Sequence, residues 1–100
     1  MLSKHDQELV TLFTKTTDDN LMENLLSGIL TPGERTEIAQ RLQIIKLLLD
    51  GVPQAKIAKD LGVGIATVTR GSRAVKSGYF KVLQQKSDQK ITEHSLRWRS

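Results

Sequence analysis

Basic side chains are concentrated in one stretch of the chain, residues 54–76, and their chemistry is that of phosphate binding. The stretch holds five Lys and Arg residues against one acidic residue, whereas residues 1–53 hold five against eight and residues 77–100 five against two. Ammonium and guanidinium groups bind phosphates, so this distribution predicts a polyanionic partner for the second half of the chain. The basic residues of the stretch are Lys56, Lys59, Arg70, Arg73 and Lys76.

Two short helices are predicted to position these groups. Pro53 precedes a helix over 54–61, Gly62 ends it, and a second helix runs over about 65–76. The small residue Ala58 lets the two helices cross closely, and the glycine four positions later adopts the left-handed turn between them. The spacing predicts a helix-turn-helix in which Val63 and Val68 fill the angle between the helices.

The start of the second helix carries side chains that suit contact with DNA bases. Short side chains let a helix approach base edges, where a methyl group meets the methyl of thymine and a hydroxyl binds a base or a phosphate. Together with the basic residues Lys56, Lys59, Arg73 and Lys76, the predicted DNA contacts are Gln54, Ile65, Ala66, Thr67 and Thr69.

A helical hairpin that serves only for packing is the alternative. It explains the spacing of Ala58 and Gly62 equally well, and Lys56 and Lys59 taken singly fit an ordinary solvated face. The local concentration of positive charge favours DNA. A protein-interaction module whose basic face binds an acidic partner also remains open at this point.

The first part of the chain predicts two further helices. Apolar residues at positions 9, 12 and 13 mark one face of a helix near residues 4–16. Residues 17–19 can all cap a helix, which predicts a second helix with Gly28 near its end.

A third helix is predicted from Pro32 to Asp50. Thr31 caps it and Glu34 closes a capping box, while Gly51 fits the left-handed position beyond its end. Its apolar residues surround the helix on most sides, so it must be buried on most sides, and we expect a homodimer to cover it. These residues are Ile38, Leu42, Ile44, Ile45, Leu47, Leu48 and Leu49.

The remaining features bound the class of protein. We expect one helical domain over residues 1–86, followed by a polar, basic and disordered tail over 87–100. The absence of cysteine, of an amino-terminal apolar segment and of any membrane-spanning run predicts a cytoplasmic protein. His5 and His94 lie near the ends of the sequence, and no nucleophile–base or metal-ligand spacing is present, so we expect neither an enzyme nor a metal site.

The sequence resembles the tryptophan repressor family over about residues 9–83. The most specific similarity is the stretch 65–72, Ile-Ala-Thr-Val-Thr-Arg-Gly-Ser, and the others are 30–35, 41–51 and 62–64. The resemblance implies six helices in an interlocked homodimer that binds a palindromic operator and represses transcription with L-tryptophan as corepressor.

The resemblance also implies a set of ligand contacts. Arg41 and Arg70 would stack on the two faces of the indole, and Arg70 would pair with the carboxylate, aided by Thr31. The backbone around Gly28 and Leu30 would accept from the ammonium group. Ile44 would line the pocket and Gly71 would leave room for the ring.

Alternatives and departures accompany this assignment. Arg41 lies four residues after Glu37, which is also the spacing of an ordinary surface ion pair. Ala74 occupies a position where the family often has a serine that holds the ligand amine, and the connection over residues 51–54 is one residue shorter than usual. A ligand-independent DNA-binding protein with the same fold is a further alternative.

Overall fold

A computed structural model describes residues 3–88 of the chain, and the environments of side chains up to residue 84. The described residues contain helices and no strands, which confirms the all-α prediction. The six helices are α1 Lys4–Lys15, α2 Asp19–Ile29, α3 Pro32–Leu49, α4 Gln54–Leu61, α5 Ile65–Lys76 and α6 Lys81–Asp88. The predicted bounds of α4 and α5 are those observed, and α1 and α3 each end one residue earlier than predicted.

Local capping explains where the first three helices begin. The Ser3 hydroxyl accepts from the Asp6 N–H and the Asp6 carboxylate accepts from the Ser3 N–H, so α1 starts with a capping box. The Asp18 carboxylate accepts from the Leu21 N–H at 2.9 Å at the start of α2. The sequence analysis predicted the cap of α2. It did not predict the capping box of α1, although the Ser-x-x-Asp spacing is a signal for one.

The start and end of α3 follow the predicted pattern. The Thr31 N–H donates to the Glu34 carboxylate at 2.9 Å, and the Glu34 N–H donates to the Thr31 hydroxyl at 3.1 Å. This reciprocal pair confirms the capping box. At the other end, Gly51 has a φ of 82°, and its N–H and that of Val52 donate back to carbonyls of the last turn.

The chain divides into two compact units, one ending at Ile38 and the other beginning at Ala39. Among the described residues of the first unit none is buried. Its exposed apolar residues include Leu9, Val10, Leu12, Phe13, Leu21, Ile29 and Ile38. The described part of the first unit, residues 3–38, therefore consists of helices without a buried apolar core of their own.

The second unit has a core, which forms where the last part of α3 meets α4 and α5. Ile44, Ile57 and Val68 are almost completely buried and form one cluster. Partly buried apolar residues pack around them: Leu47, Leu48, Val52, Ala58, Leu61 and Val63. The last part of α3, residues 44–49, is therefore buried or partly buried within the chain, whereas Leu42, nearer the middle of the helix, stays exposed.

The last described helix bears on the predicted tail. α6 runs to Asp88, so the helix includes the first two residues of the tail predicted to start at residue 87. The rest of that predicted tail, residues 89–100, lies outside the described residues.

Candidate nucleic-acid interface

The turn between α4 and α5 is built on Gly62, as the sequence predicts. Gly62 has a φ of 66° and ψ of 36°, the left-handed region in which a residue with a Cβ is strained. Its N–H donates to the Lys59 carbonyl at 3.3 Å, and the Val63 N–H donates to the Ala58 carbonyl at 3.0 Å. This pair of bonds is a Schellman motif, which ends α4 and sets the direction in which the chain enters α5.

The buried core lies beneath this α4–α5 pair and holds it in place. Ile57 from α4 and Val68 from α5 are both 0% exposed, and Ile44 from α3 is 2% exposed. Ala58 and Val63 pack against this cluster, which confirms that Val63 and Val68 fill the angle between the helices. Because one side of α5 is held against the core, its other side is available as a rigid contact surface.

The amino-terminal end of α5 is an open part of this surface. Ile65 is 52% exposed, and Ala66 and Thr67 are also exposed. The α4–α5 pair also presents five exposed basic side chains, two on α4 and three on α5: Lys56, Lys59, Arg70, Arg73 and Lys76. The arrangement places short side chains and positive charge on the same pair of helices, as contact with a nucleic acid requires.

Three predicted contact residues already have partners within α4 and α5. The Lys56 ammonium donates to the Asp60 carboxylate at 2.9 Å, an exposed i,i+4 pair. Because such pairs are weak, Lys56 can exchange Asp60 for a phosphate at little cost. The sequence analysis did not include this pair, although the spacing of the two residues is a signal for it. The Thr69 hydroxyl donates to the Gln54 side-chain oxygen at 2.9 Å, and both residues are half-buried.

Four of the predicted ligand residues lie in the second unit. Arg41 and Arg70 are exposed, whereas Ile44 is buried in the core. Gly71 lies against α3: a Cβ at this position would be 3.2 Å from the Ile44 Cγ2, 3.3 Å from the Ile45 Cδ1 and 3.4 Å from a Leu48 methyl. The missing side chain of Gly71 thus lets α5 pack closely on α3, a role that the sequence analysis did not assign to it.

The other three predicted ligand residues lie at the corner between α2 and α3, in the first unit. Leu30 is extended and ends α2, with its N–H bonded to the Leu26 carbonyl at 3.1 Å. Arg35 fixes the corner, because its guanidinium donates to the Ser27 hydroxyl at 2.8 Å and pairs with Glu23 at 3.6 Å. Thr31 is part of the capping box, because its hydroxyl oxygen accepts from the Glu34 N–H at 3.1 Å.

The carbonyl groups at this end of α2 are suited to a cation. In a continuing helix the Gly28 carbonyl would accept from residue 32, which is a proline and has no N–H. The Leu30 carbonyl would accept from Glu34, whose N–H donates to the Thr31 hydroxyl instead. Carbonyls at the end of a helix also carry its negative partial charge.

The same corner perturbs one titratable group. The backbone N–H of Thr31 lowers the pKa of the Glu34 carboxyl below its ordinary value, and the Thr31 hydroxyl acts in the same direction. Both groups donate hydrogen bonds that favour the charged carboxylate. Glu34 is therefore held ionised as part of the helix cap.

Comparison with known proteins identifies the family. The Trp repressor protein family matches residues 4–87 of the chain. A Trp operon repressor homolog from Vibrio campbellii is 43% identical over 72 residues, covering 71% of this chain and 72% of the relative. A Trp operon repressor homolog from Chlamydia trachomatis serovar L2 is 41% identical over 83 residues, covering 80% of this chain and 88% of the relative.

The chain belongs to the Trp repressor family.

Membership confirms the resemblance seen in the sequence and gives the coarse function. The chain is a transcriptional regulator of the tryptophan-repressor type, and members of this family are regulators rather than enzymes. The all-helical fold of residues 3–88 is consistent with the family. Within the same residues no helix is long and apolar enough to cross a membrane.

Proposed function

We propose that this member of the Trp repressor family binds operator DNA as a dimer when L-tryptophan occupies its ligand site, and that it thereby represses transcription. The observation that carries the proposal is the exposed amino-terminal end of α5, held by a buried core and accompanied by five exposed basic side chains. In this proposal the α4–α5 pair acts as a helix-turn-helix and α5 is the recognition helix, entering the major groove.

The dimer is supported by the first unit. Its apolar residues are exposed in the single chain, and helices with an uncovered apolar face need another surface to bury it. Two copies of α5 in a symmetric dimer would reach successive major grooves, which are roughly 34 Å apart, and would read a palindrome.

L-Tryptophan as corepressor is supported by the chemistry of the ligand residues. The guanidinium planes of Arg41 and Arg70 suit an indole and a carboxylate. Carbonyls at the end of α2, at Gly28 and Leu30, suit an ammonium group. The Thr31 hydroxyl can rotate its single hydrogen from the Glu34 carboxylate to the carboxylate of the ligand. Ile44 and Gly71 complete the proposed set. We propose a cytoplasmic location, where free L-tryptophan and DNA meet.

The proposed switch follows from linkage. L-Tryptophan can raise the affinity for DNA only because it binds the DNA-competent form more tightly than the other forms of the protein. The ratio of these affinities for L-tryptophan limits the increase. DNA must then raise the affinity for L-tryptophan by the same factor.

A binding titration tests the proposal. A palindromic duplex is selected by the protein from a randomised pool and is then titrated with and without saturating L-tryptophan. We expect tighter binding with L-tryptophan, and affinity that falls with salt at a log–log slope of roughly −0.9 per phosphate neutralised. Equal binding in both titrations would support the ligand-independent alternative, and failure of the protein to select any duplex from the pool would support a protein-interaction module.

Two arginines on one helix provide a matched pair of variants. We expect Arg70→Leu to abolish the calorimetric heat of L-tryptophan binding while the dimer survives. Arg73→Leu removes the same charge three residues along α5. We expect this variant to retain L-tryptophan binding but to lose affinity for all DNA sequences alike. Equal effects of the two variants on L-tryptophan binding would remove Arg70 from the proposed site.

A further inference from the structure

The hydrogen bond between Thr69 and Gln54 joins the two helices of the α4–α5 pair across fifteen positions of sequence. The Thr69 hydroxyl donates to the Gln54 Oε1 at 2.9 Å, and both side chains are half-buried. Gln54 is the first residue of α4, whereas Thr69 lies in the second turn of α5. The bond therefore fixes the start of one helix to the middle of the other.

Thr69 also lies on the row of α5 that is open to DNA. Ile65 is one turn before it and Arg73 one turn after it, and both are exposed. Gln54, held by Thr69, is thereby brought from α4 to the edge of the same row. Its side chain is close to the predicted contact surface without belonging to the recognition helix.

The orientation of the Gln54 amide decides what it can bind. With its oxygen taken by the Thr69 hydroxyl, the other end of the amide is an NH₂ group with two donors. A phosphate oxygen only accepts, so the opposite orientation of the amide would bring two acceptors together and would repel DNA. The Thr69 hydroxyl, in turn, has its single hydrogen committed to Gln54 and cannot donate it to a base.

We infer that Thr69 acts on DNA through Gln54: it is a positioning residue, whose hydroxyl holds the Gln54 amide so that the NH₂ group donates to a backbone phosphate. The inference rests on the proposed DNA-binding function. It replaces direct base readout by Thr69 with a contact to the DNA backbone, which carries no sequence information.

A double-mutant cycle tests this assignment. Thr69→Val removes the hydroxyl at nearly constant shape, Gln54→Met removes the amide at similar length, and the double variant removes both. Affinity is measured with saturating L-tryptophan, on the duplex selected by the wild-type protein and on a random-sequence duplex. Circular dichroism and thermal melting are recorded for each variant to verify that the helices form.

The inference predicts a coupled and sequence-independent loss. Each single variant should lower the affinity for both duplexes by about three- to ten-fold. The expected loss is modest because the contact lies at the solvent-exposed edge of the interface. The double variant should lose no more affinity for DNA than Gln54→Met alone. Thr69→Ser, which keeps the hydroxyl, should restore wild-type affinity. The salt dependence should not change, because a neutral amide releases no counterion.

The contrary results are distinct. A loss from Thr69→Val that persists in the Gln54→Met background and affects only the selected duplex would mean that Thr69 contacts a base, which overturns the inference. Wild-type affinity in both single variants would overturn it as well. Failure of the wild-type protein to bind any duplex would overturn the proposed function together with this inference, whereas the first two results leave the proposed function intact.

Discussion

The two units of the chain contrast in how their helices are stabilised. In the first unit every helix begins with a side-chain cap, with boxes at Ser3 and Thr31 and a cap at Asp18, yet none of its described residues is buried. The second unit has no side-chain cap at α4 or α5, but these helices surround Ile57 and Val68, which are fully buried.

The difference shows that capping and burial stabilise a helix in different ways. A cap determines where a helix begins and is worth roughly 1 kcal/mol, whereas a buried side chain is worth about 1.5–3 kcal/mol and also determines what the helix packs against. The α4–α5 pair can therefore keep its geometry within one chain. The first unit needs an apolar partner surface, and the proposed dimer supplies one.

The largest expected effect comes from the core of the second unit. We expect Ile57→Ala to lower the free energy of unfolding by about 2–5 kcal/mol, because it leaves a cavity at the centre of the cluster. Urea denaturation at fixed protein concentration measures the change. Ile65→Ala, on the exposed face of α5, is the control and should stay within about 0.5 kcal/mol of the wild-type value. Similar losses for the two variants would mean that the core does not carry the stability of this unit.

The second prediction concerns the uncovered face of the first unit. Leu12→Glu places a charge among apolar residues of α1, and burial of an unpaired charge costs several kcal/mol. We expect the dissociation constant of the dimer to rise by at least about a hundred-fold, as measured by sedimentation equilibrium. Thr14→Glu adds the same charge two residues along the helix, away from that face, and is the control. A well-folded wild-type monomer at low micromolar concentration would contradict the comparison between the units.

A matched pair of glycines sharpens the same contrast. Gly28 in α2 has nothing within 4 Å of an added Cβ, whereas a Cβ at Gly71 meets Ile44 at 3.2 Å and Ile45 at 3.3 Å. In the absence of ligand, we expect Gly28→Ala to stabilise the protein by about 0.5–1 kcal/mol, because alanine favours the helix. We expect the Gly71→Ala protein to be less stable than the Gly28→Ala protein by at least about 1 kcal/mol, because the buried neighbours of Gly71 must shift. Thermal denaturation measures both, and equal gains would show that α5 can move away from α3 without cost.

The smallest effect is electrostatic and belongs to the cap of α3. Because the folded protein lowers the pKa of Glu34, the folded state favours the ionised carboxylate. This contribution to stability is fully present above the pKa of the unfolded chain and is lost as the pH falls through the lowered pKa of the folded one. We therefore expect the stability difference between wild type and Glu34→Gln to shrink on acidification, as measured by urea denaturation at a series of pH values. A difference that grows on acidification would contradict the assigned direction.

Sequence alone determined the features that depend on neighbouring residues. The capping box of Thr31 and Glu34, the left-handed glycines at 51 and 62, and the bounds of α4 and α5 were all predictable, because each depends on residues within about one or two helical turns. The family was also recognisable, because its most specific stretch, residues 65–72, is continuous in the chain.

Only the tertiary structure decided which distant residues meet. The bond from Thr69 to Gln54 and the close approach of Gly71 to Ile44 join residues that are far apart in sequence. The all-round apolar pattern of α3 likewise did not reveal that Ile44 and Ile45 would be covered within the chain while Leu42 stays exposed. The physical reason is that periodicity identifies the faces of a helix, whereas the crossing of helices determines which faces come together.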